Sequence, residues 1–150
     1  MDDALLWAVR TAVYRQFAET ARPPSPEEAA AACDCSREQA ALAYQALHHR
    51  HVLFLDPESP VPAIRMANPF SAVPTAFRVH ARGRAYWANC AWDGLGIPAA
   101  LHCDAHIETA DPENGDRITL QVQDGNVRAH GEVIHFLLPF RRWYDDLVYT

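Results

Sequence analysis

Two closely spaced helix-start signatures constrain the first half of the chain more than any other feature. Ser25 is followed by Pro26 and then by Glu28. Ser36 is followed by Gln39 at the same three-residue spacing. A serine side chain can cap the first turn of a helix while the glutamate or glutamine caps the serine backbone in return, and proline is favoured at the first helical position. The sequence therefore predicts two helices that begin directly after these two serines.

An apolar stripe and a hairpin flank the two capped helices. Residues 4–18 carry apolar side chains at helical spacing, namely Leu5, Leu6, Val9, Val13 and Phe17. The apolar runs 51–56 and 62–67 are joined by the turn-rich segment 57–60, which is typical of a β-hairpin. Three helices followed by a hairpin is the order of a winged-helix module. Residues 1–68 are therefore predicted to form a helical, winged-helix-like domain.

The second half of the chain changes character after residues 68–74, a segment with two prolines that we interpret as a linker. A helix is predicted from about Ala91 to Leu101, and a short helix entering a new strand is predicted for residues 140–150. Strands are predicted over 75–81, 84–88, 102–110, 116–122, 126–130 and 132–139. We predict an α+β fold in which residues 69–150 form a core domain, a small mixed β-sheet with short helices.

Composition and charge exclude several classes of protein. The 150 residues are 49% hydrophobic and 21% charged, with a net charge of −6. That hydrophobic content is typical of a globular domain, and the negative charge opposes attraction to nucleic-acid phosphates. No apolar run approaches the roughly 18 residues of a membrane span, and the N-terminus lacks the features of a secretory signal. We expect a cytoplasmic protein without a membrane or nucleic-acid partner.

The four cysteines are expected to be reduced thiols, since the cytosol keeps thiols reduced. Cys33 and Cys35 form a Cys-x-Cys between two predicted helices, and this region offers no second pair of zinc ligands. We interpret them as structural or incidental. Cys103 is predicted to face the core, because strand alternation points it away from its polar neighbours.

Two histidine-rich segments are further candidates for chemistry. In a strand over residues 102–110, His102, Asp104 and His106 share one face. We interpret that face as polar surface, with a metal site as the open alternative. Residues 48–51 end a predicted helix, where cationic side chains favour the helix dipole, and are predicted to be a solvated cap.

Cys90 lies three residues before Asp93 at the start of the predicted helix. Residues three apart on a helix share a face, so the thiol and the carboxylate can address one bound atom. A helix N-terminus also lowers a thiol pKa, and the thiolate is the nucleophile and soft-metal ligand. The alternative is that Cys90 fills space beside Trp87 and Trp92 while Asp93 caps the helix. Spacing alone leaves both interpretations open.

Residues 73–105 resemble the core of the alkylmercury (organomercurial) lyase family in their strand, aromatic residue, Cys-x-x-Asp pair and proline-containing helix. The specific part is 87–100, and a weaker similarity extends to the N-terminal half and to residues 134–150. The resemblance implies that the Cys90 thiolate attacks mercury, a soft metal, and that Asp93 relays a proton to the departing carbon. It implies an organomercurial substrate, hydrocarbon and mercuric ion as products, no resident cofactor, and external thiols or an acceptor protein that receive the mercuric ion.

One departure from the family pattern leaves alternatives open. Family members use a second cysteine just after a segment like residues 143–150, and this sequence has none there. We expect a C-terminally truncated core domain. A non-catalytic, thiol-dependent binder or sensor of mercury is the first alternative. A winged-helix DNA-binding regulator with residues 36–50 as recognition helix is the second, and it is disfavoured because only Arg37 and Arg50 give that helix fixed positive charge.

Overall fold

A computed structural model of the protein describes residues 2–128, 131–136 and 138–144. Its helices are α1 (Asp3–Thr20), α2 (Pro26–Cys33), α3 (Arg37–His49) and α4 (Ala91–Leu101). A 3-10 turn covers Phe140–Arg142. The strands are β1 (Phe54–Leu55), β2 (Ile64–Ala67), β3 (Phe70–Ser71), β4 (Phe77–Ala81), β5 (Arg84–Ala88), β6 (Ala105–Ala110), β7 (Arg117–Gln123) and β8 (Asn126–Arg128). Within these described ranges, no helix has the length and apolar character to cross a membrane.

Helices α2 and α3 begin where the capping residues predict. Ser25 and Ser36 each form a complete capping box with the glutamate or glutamine three residues on. The predicted stripe of α1 packs into the core, and its buried members are Leu6, Val9, Val13 and Phe17. Local sequence alone therefore fixes where α2 and α3 start and which side of α1 is buried.

The strands form a single eight-stranded sheet in the order β1-β2-β3-β5-β4-β6-β7-β8. Every neighbouring pair is antiparallel, so the prediction of a mixed sheet is wrong. The predicted hairpins β1-β2 and β4-β5 are confirmed. Both β5 and β6 pair with β4, so they run in the same direction and need a crossover connection. Helix α4 is that crossover, over the residues predicted for it.

The segment predicted to be a linker, residues 68–74, instead joins the helices to the sheet. It contains β3, and the Phe70 ring is buried and stacks on Phe17 of α1 at 5.2 Å. The Tyr86 hydroxyl on β5 donates to the Ala18 carbonyl oxygen at 2.7 Å. Because of the two prolines, this segment was interpreted as a linker, and the two-residue strand β3 was not predicted. The division into domains at residues 68 and 69 stays a prediction, and the sheet runs across it.

The predicted strand over residues 102–110 is wrong at its start. His102 ends α4 in the left-handed conformation (φ 49°), and β6 begins only at Ala105. His102 and Asp104 therefore do not share a strand face with His106. Cys103 is half-buried and packs against the core, as expected of it.

Near the C-terminus, the described chain is irregular where a strand was predicted. Residues 132–136 of the predicted strand 132–139 form no strand. The predicted helix before the final strand is the single 3-10 turn at Phe140–Arg142. The final strand falls on residues 145–150, which lie outside the described residues.

Two glycines of α4 face the neighbouring elements, and one of them is needed for the close packing of the helix. A Cβ atom on Gly94 would lie 3.5 Å from Ile107 Cγ2 in β6, an ordinary contact. A Cβ atom on Gly96 would lie 3.0 Å from Pro69 Cβ, closer than such atoms normally approach. The helix is thus seated on the sheet on one side and against the β2-β3 turn on the other.

Alanine at these two positions tests the packing. Gly94→Ala should raise the free energy of unfolding by up to about 1 kcal/mol, because alanine is the better helix former and its Cβ atom fits. Gly96→Ala, the matched variant, gains the same propensity but must displace Pro69, so it should be the less stable of the two in urea unfolding. Equal stabilities would contradict this account of the packing.

Candidate active site at the start of helix α4

Cys90 and Asp93 meet at the first turn of α4. Cys90 is the N-cap residue, in an extended conformation (φ −147°), and its side chain makes no capping hydrogen bond. Its Sγ–H instead donates to Asp93 Oδ2 at 3.4 Å. Serine, threonine, aspartate or asparagine at an N-cap stabilises a helix by about 1 kcal/mol relative to a non-capping residue. The thiol is therefore held at this position at some cost to helix stability.

Burial sets the protonation state of the pair. Asp93 is 7% exposed, and its burial raises the pKa of the carboxyl group to about 6. Burial and the negative charge of Asp93 raise the pKa of the Cys90 thiol to about 11. At neutral pH the two groups are therefore mainly a thiol and a carboxylate that share one proton.

The helix N-terminus was expected to lower the pKa of the Cys90 thiol, but that pKa is raised, so the expectation is wrong. Backbone N–H groups of Trp92 and Asp93 do pull the pKa of Cys90 down. Desolvation and the neighbouring carboxylate act in the opposite direction and are stronger. The sequence shows the helix start but not the depth at which it is buried.

A cavity of about 370 Å³ opens beside Cys90 and Asp93. Its walls come from the β2-β3 turn, the end of β5, the first turns of α4 and the C-terminal segment. Besides the pair, they consist of Met66, Asn68, Pro69, Asn89, Trp92, Gly96, Phe136 and Trp143. No lysine, arginine or histidine is among these described wall residues, so no cation in the wall stabilises a thiolate.

Three of these side chains, Trp92, Phe136 and Trp143, form an aromatic rim around the cavity. The Phe136 ring stacks on Trp143 with centroids 4.9 Å apart and meets Trp92 edge-on at 6.3 Å. Trp143 Nε1–H donates to the Leu138 carbonyl oxygen at 2.9 Å. These contacts hold the segment against α4. Aromatic faces of this kind suit a planar apolar group.

The other cysteines lie away from this cavity, and all four thiols are free. Cys103 follows the opposite end of α4, and a helix of 11 residues spans roughly 16 Å. Cys33 and Cys35 are half-buried at the end of α2, where burial raises the pKa of Cys33. The structure therefore brings one thiol, not two, to the Asp93 carboxylate.

The histidine segments do not form a metal centre. On β4 and β6, His80 Nε2 and His106 Nε2 each lie 3.5 Å from the Glu108 carboxylate. His48, predicted to be part of a solvated cap, is half-buried, and its Nδ1 accepts a hydrogen bond from the Leu55 N–H at 3.4 Å. In the part of the chain that the structure describes, no three His, Cys, Asp or Glu side chains are placed to hold a metal ion.

Several wall residues escaped the sequence analysis. Trp92 was noted only as a packing neighbour of Cys90. Asn68 and Pro69 belong to the presumed linker, and no periodic pattern marks them. Phe136 and Trp143 lie in the C-terminal stretch, where the family resemblance was the only available signal.

This chain is similar to known proteins in part of its sequence and in its fold. The sequence model of the family described as alkylmercury lyase matches residues 70–150. A crystal structure of the mercury-bound form of MerB2 is similar in fold, with a TM-score of 0.66 and 19% sequence identity. The similarity covers 85% of this chain and 60% of that chain, so this chain spans 60% of the length of that structure. No curated protein matches the sequence.

Asp93→Asn tests the burial of the carboxylate. A carboxyl group whose pKa rises from 3.8 to about 6 on folding disfavours the native state once it ionises, so stability falls as pH rises from about 4 to about 6. Asparagine does not ionise. The stability of Asp93→Asn relative to the unsubstituted protein should therefore increase by about 2 kcal/mol between about pH 4 and pH 7.

Urea unfolding across this pH range measures the effect. Asp116→Asn, at an exposed loop position, is the matched control and should show no such trend. A stability difference for Asp93→Asn that does not vary with pH would show that the Asp93 carboxyl titrates normally.

Proposed function

The chain belongs to the alkylmercury lyase family, and from that premise we propose that it cleaves carbon–mercury bonds by protonolysis. The observation that carries the proposal is the hydrogen bond from Cys90 Sγ to Asp93 Oδ2 in a cavity without a cationic wall residue among those described. The thiol offers mercury its preferred ligand, and the carboxylate beside it offers a place for the thiol proton.

The first step joins mercury to Cys90. The substrate is written R–Hg–SR′, an organomercurial carried by an external thiol. Mercury is a soft metal and favours sulfur ligands. As the Sγ–Hg bond forms, the thiol proton passes to Asp93, which already accepts its hydrogen bond. The new Sγ–Hg bond stabilises the sulfur without help from a neighbouring cation.

The second step releases the hydrocarbon. Asp93, now protonated, donates its proton to the carbon, and the electron pair of the breaking C–Hg bond forms the C–H bond. A pKa of about 6 suits this role, because a group that titrates near neutrality both accepts and returns a proton readily. The sum is Cys90–SH + R–Hg–SR′ → R–H + Cys90–S–Hg–SR′, with no change in oxidation state. The external thiol supplies the second sulfur on mercury.

The organic group and the fate of mercury follow from the same site. The aromatic rim favours an aryl group as R. The mercuric ion then leaves to external thiols or to an acceptor protein, and no step requires a resident cofactor. A reducing compartment such as the cytoplasm suits the proposal, because all four cysteines are free thiols.

The N-terminal helices and the β1-β2 hairpin have, we propose, a scaffold role within a winged-helix-like unit. The two arginines that would give α3 its fixed charge for DNA both form ion pairs within the protein. Arg37 pairs with Glu27, and Arg50 lies 3.3 Å from Asp3. Paired arginines contribute less to phosphate binding, which supports a scaffold over a DNA-binding regulator.

Benzene release from a phenylmercury compound in excess thiol tests the activity. Cys90→Ser should abolish both mercury retention at this site and benzene release, while the fold remains intact because serine is a favoured N-cap. Asp93→Asn should still bind mercury but release benzene at least about 100-fold more slowly, because the proton relay is lost.

Cys103→Ser is the matched control, since Cys103 lies beyond the far end of α4, and it should release benzene at the unsubstituted rate. Mercury bound in one equivalent at Cys90 without any benzene would refute the lyase and leave the thiol-dependent binder. Benzene release that survives Asp93→Asn unchanged would refute the proton relay.

A further inference from the structure

A second and larger cavity adjoins the Cys90 cavity. Its volume is about 800 Å³, and it lies between the end of α3, the β1-β2 hairpin and Tyr144. Met66 and Asn89 line both cavities. The two cavities therefore adjoin at Met66 and Asn89, and Asn89 directly precedes Cys90 in the chain.

The second cavity differs from the first in carrying charged and hydrogen-bonding groups of both kinds. His48 and Arg65 offer hydrogen-bond donors on one hand, and Asp56 and Glu58 offer carboxylates on the other. Within the described part of the chain, Arg65 forms no ion pair with either carboxylate. The wall thus presents positive and negative groups together without cancelling them in a direct pair.

Two of the three histidines in this wall, His48 and His51, are held in place. His48 Nδ1 accepts from the Leu55 N–H, so its hydrogen resides on Nε2, and its ring meets Phe54 edge-on at 5.9 Å. The His51 ring stacks on Tyr144 with centroids 4.3 Å apart. Fixed donors lose little conformational freedom when they bind a carboxylate, which favours binding.

We propose that this second cavity, the acceptor subsite, binds a small amino-acid thiol and directs its sulfur to mercury on Cys90. Arg65 and His48 bind the α-carboxylate, and Asp56 and Glu58 bind the α-ammonium group. This inference rests on the proposed function, because it takes mercury to be held at Cys90. It explains how a charged acceptor is recruited beside a cavity whose own described walls carry no cation.

The exchange step balances without a redox partner. It is written Cys90–S–Hg–SR′ + R′–SH → R′S–Hg–SR′ + Cys90–SH. The bond from mercury to Cys90 Sγ breaks as the bond to the incoming sulfur forms. The proton of the incoming thiol ends on Cys90 Sγ, next to the Asp93 carboxylate that accepts its hydrogen bond.

The test follows mercury removal from protein loaded directly with one equivalent of Hg²⁺. A triple variant (Cys33→Ser, Cys35→Ser, Cys103→Ser) confines the metal to Cys90. Four thiols are compared: L-cysteine, cysteamine without the carboxylate, 3-mercaptopropionate without the ammonium group, and 2-mercaptoethanol with neither. Removal rates are first corrected for the thiolate fraction of each thiol. The half-saturating concentration of L-cysteine should then be about tenfold or more below that of 2-mercaptoethanol. The half-saturating concentrations of cysteamine and 3-mercaptopropionate should lie between these two values.

Arg65→Gln assigns the effect to the subsite. It should raise the half-saturating concentration of L-cysteine about tenfold and leave 2-mercaptoethanol unchanged. Arg84→Gln, on β5 and lining neither cavity, is the matched control and should change neither value. Equal half-saturation for all four thiols, or an Arg65→Gln effect on 2-mercaptoethanol as large as on L-cysteine, would overturn the proposal.

Failure of this proposal is distinguishable from failure of the lyase. Hg²⁺ is loaded directly, so the removal assay needs no carbon–mercury cleavage. Saturation with L-cysteine in a protein that releases no benzene would remove the proposed activity and keep the subsite. If the triple variant fails to fold, the unsubstituted protein saturated with Hg²⁺ gives the same comparison, in the removal phase that is absent from Cys90→Ser.

Discussion

The close approach of α4 to the sheet and to the β2-β3 turn governs the candidate site. At Gly96 a side chain would collide with Pro69 of the turn, and at Gly94 the helix lies within ordinary contact distance of Ile107 in β6. Because α4 is also the crossover between two strands that flank β4, its position and direction are fixed by the sheet. Its first turn is consequently buried at the edge of a cavity, and the burial of Asp93 follows from that placement. The raised pKa values of both site residues are a consequence of helix packing.

That burial gives the pair a property that an exposed Cys-x-x-Asp lacks. The same desolvation that keeps the thiol protonated also brings the pKa of the carboxyl group close to neutrality. A free thiolate at an exposed helix start would be open to oxidation and to any soft metal. In the proposed mechanism, the sulfur loses its proton as mercury binds, and Asp93 takes that proton and later donates it to the departing carbon. In our proposal, the adjoining polar cavity recruits the charged acceptor separately from this chemistry.

Local features of the fold were predictable from sequence, and tertiary ones were not. The capping boxes at Ser25 and Ser36 and the limits of α4 depend on residues within a few positions of one another, as does the juxtaposition of Cys90 and Asp93. Strand β3 was not predicted because it depends on the contact of Phe70 with Phe17, which is distant in the sequence. The direction of the Cys90 pKa shift likewise depends on burial by distant segments. The alternation of residues 102–110 predicted a strand that starts too early, because His102 is the left-handed C-cap of α4.

The central claim is that one proton is shared between Cys90 and Asp93. The most direct test is the pH dependence of hydrocarbon release in a single turnover, measured at low substrate concentration with excess protein. The rate should rise with pH through about 6, as Asp93 becomes the carboxylate that accepts the thiol proton. It should then hold until the Cys90 thiol ionises near pH 11. A rate that instead falls through about pH 6 would mean that Asp93 must begin protonated, and would contradict the account.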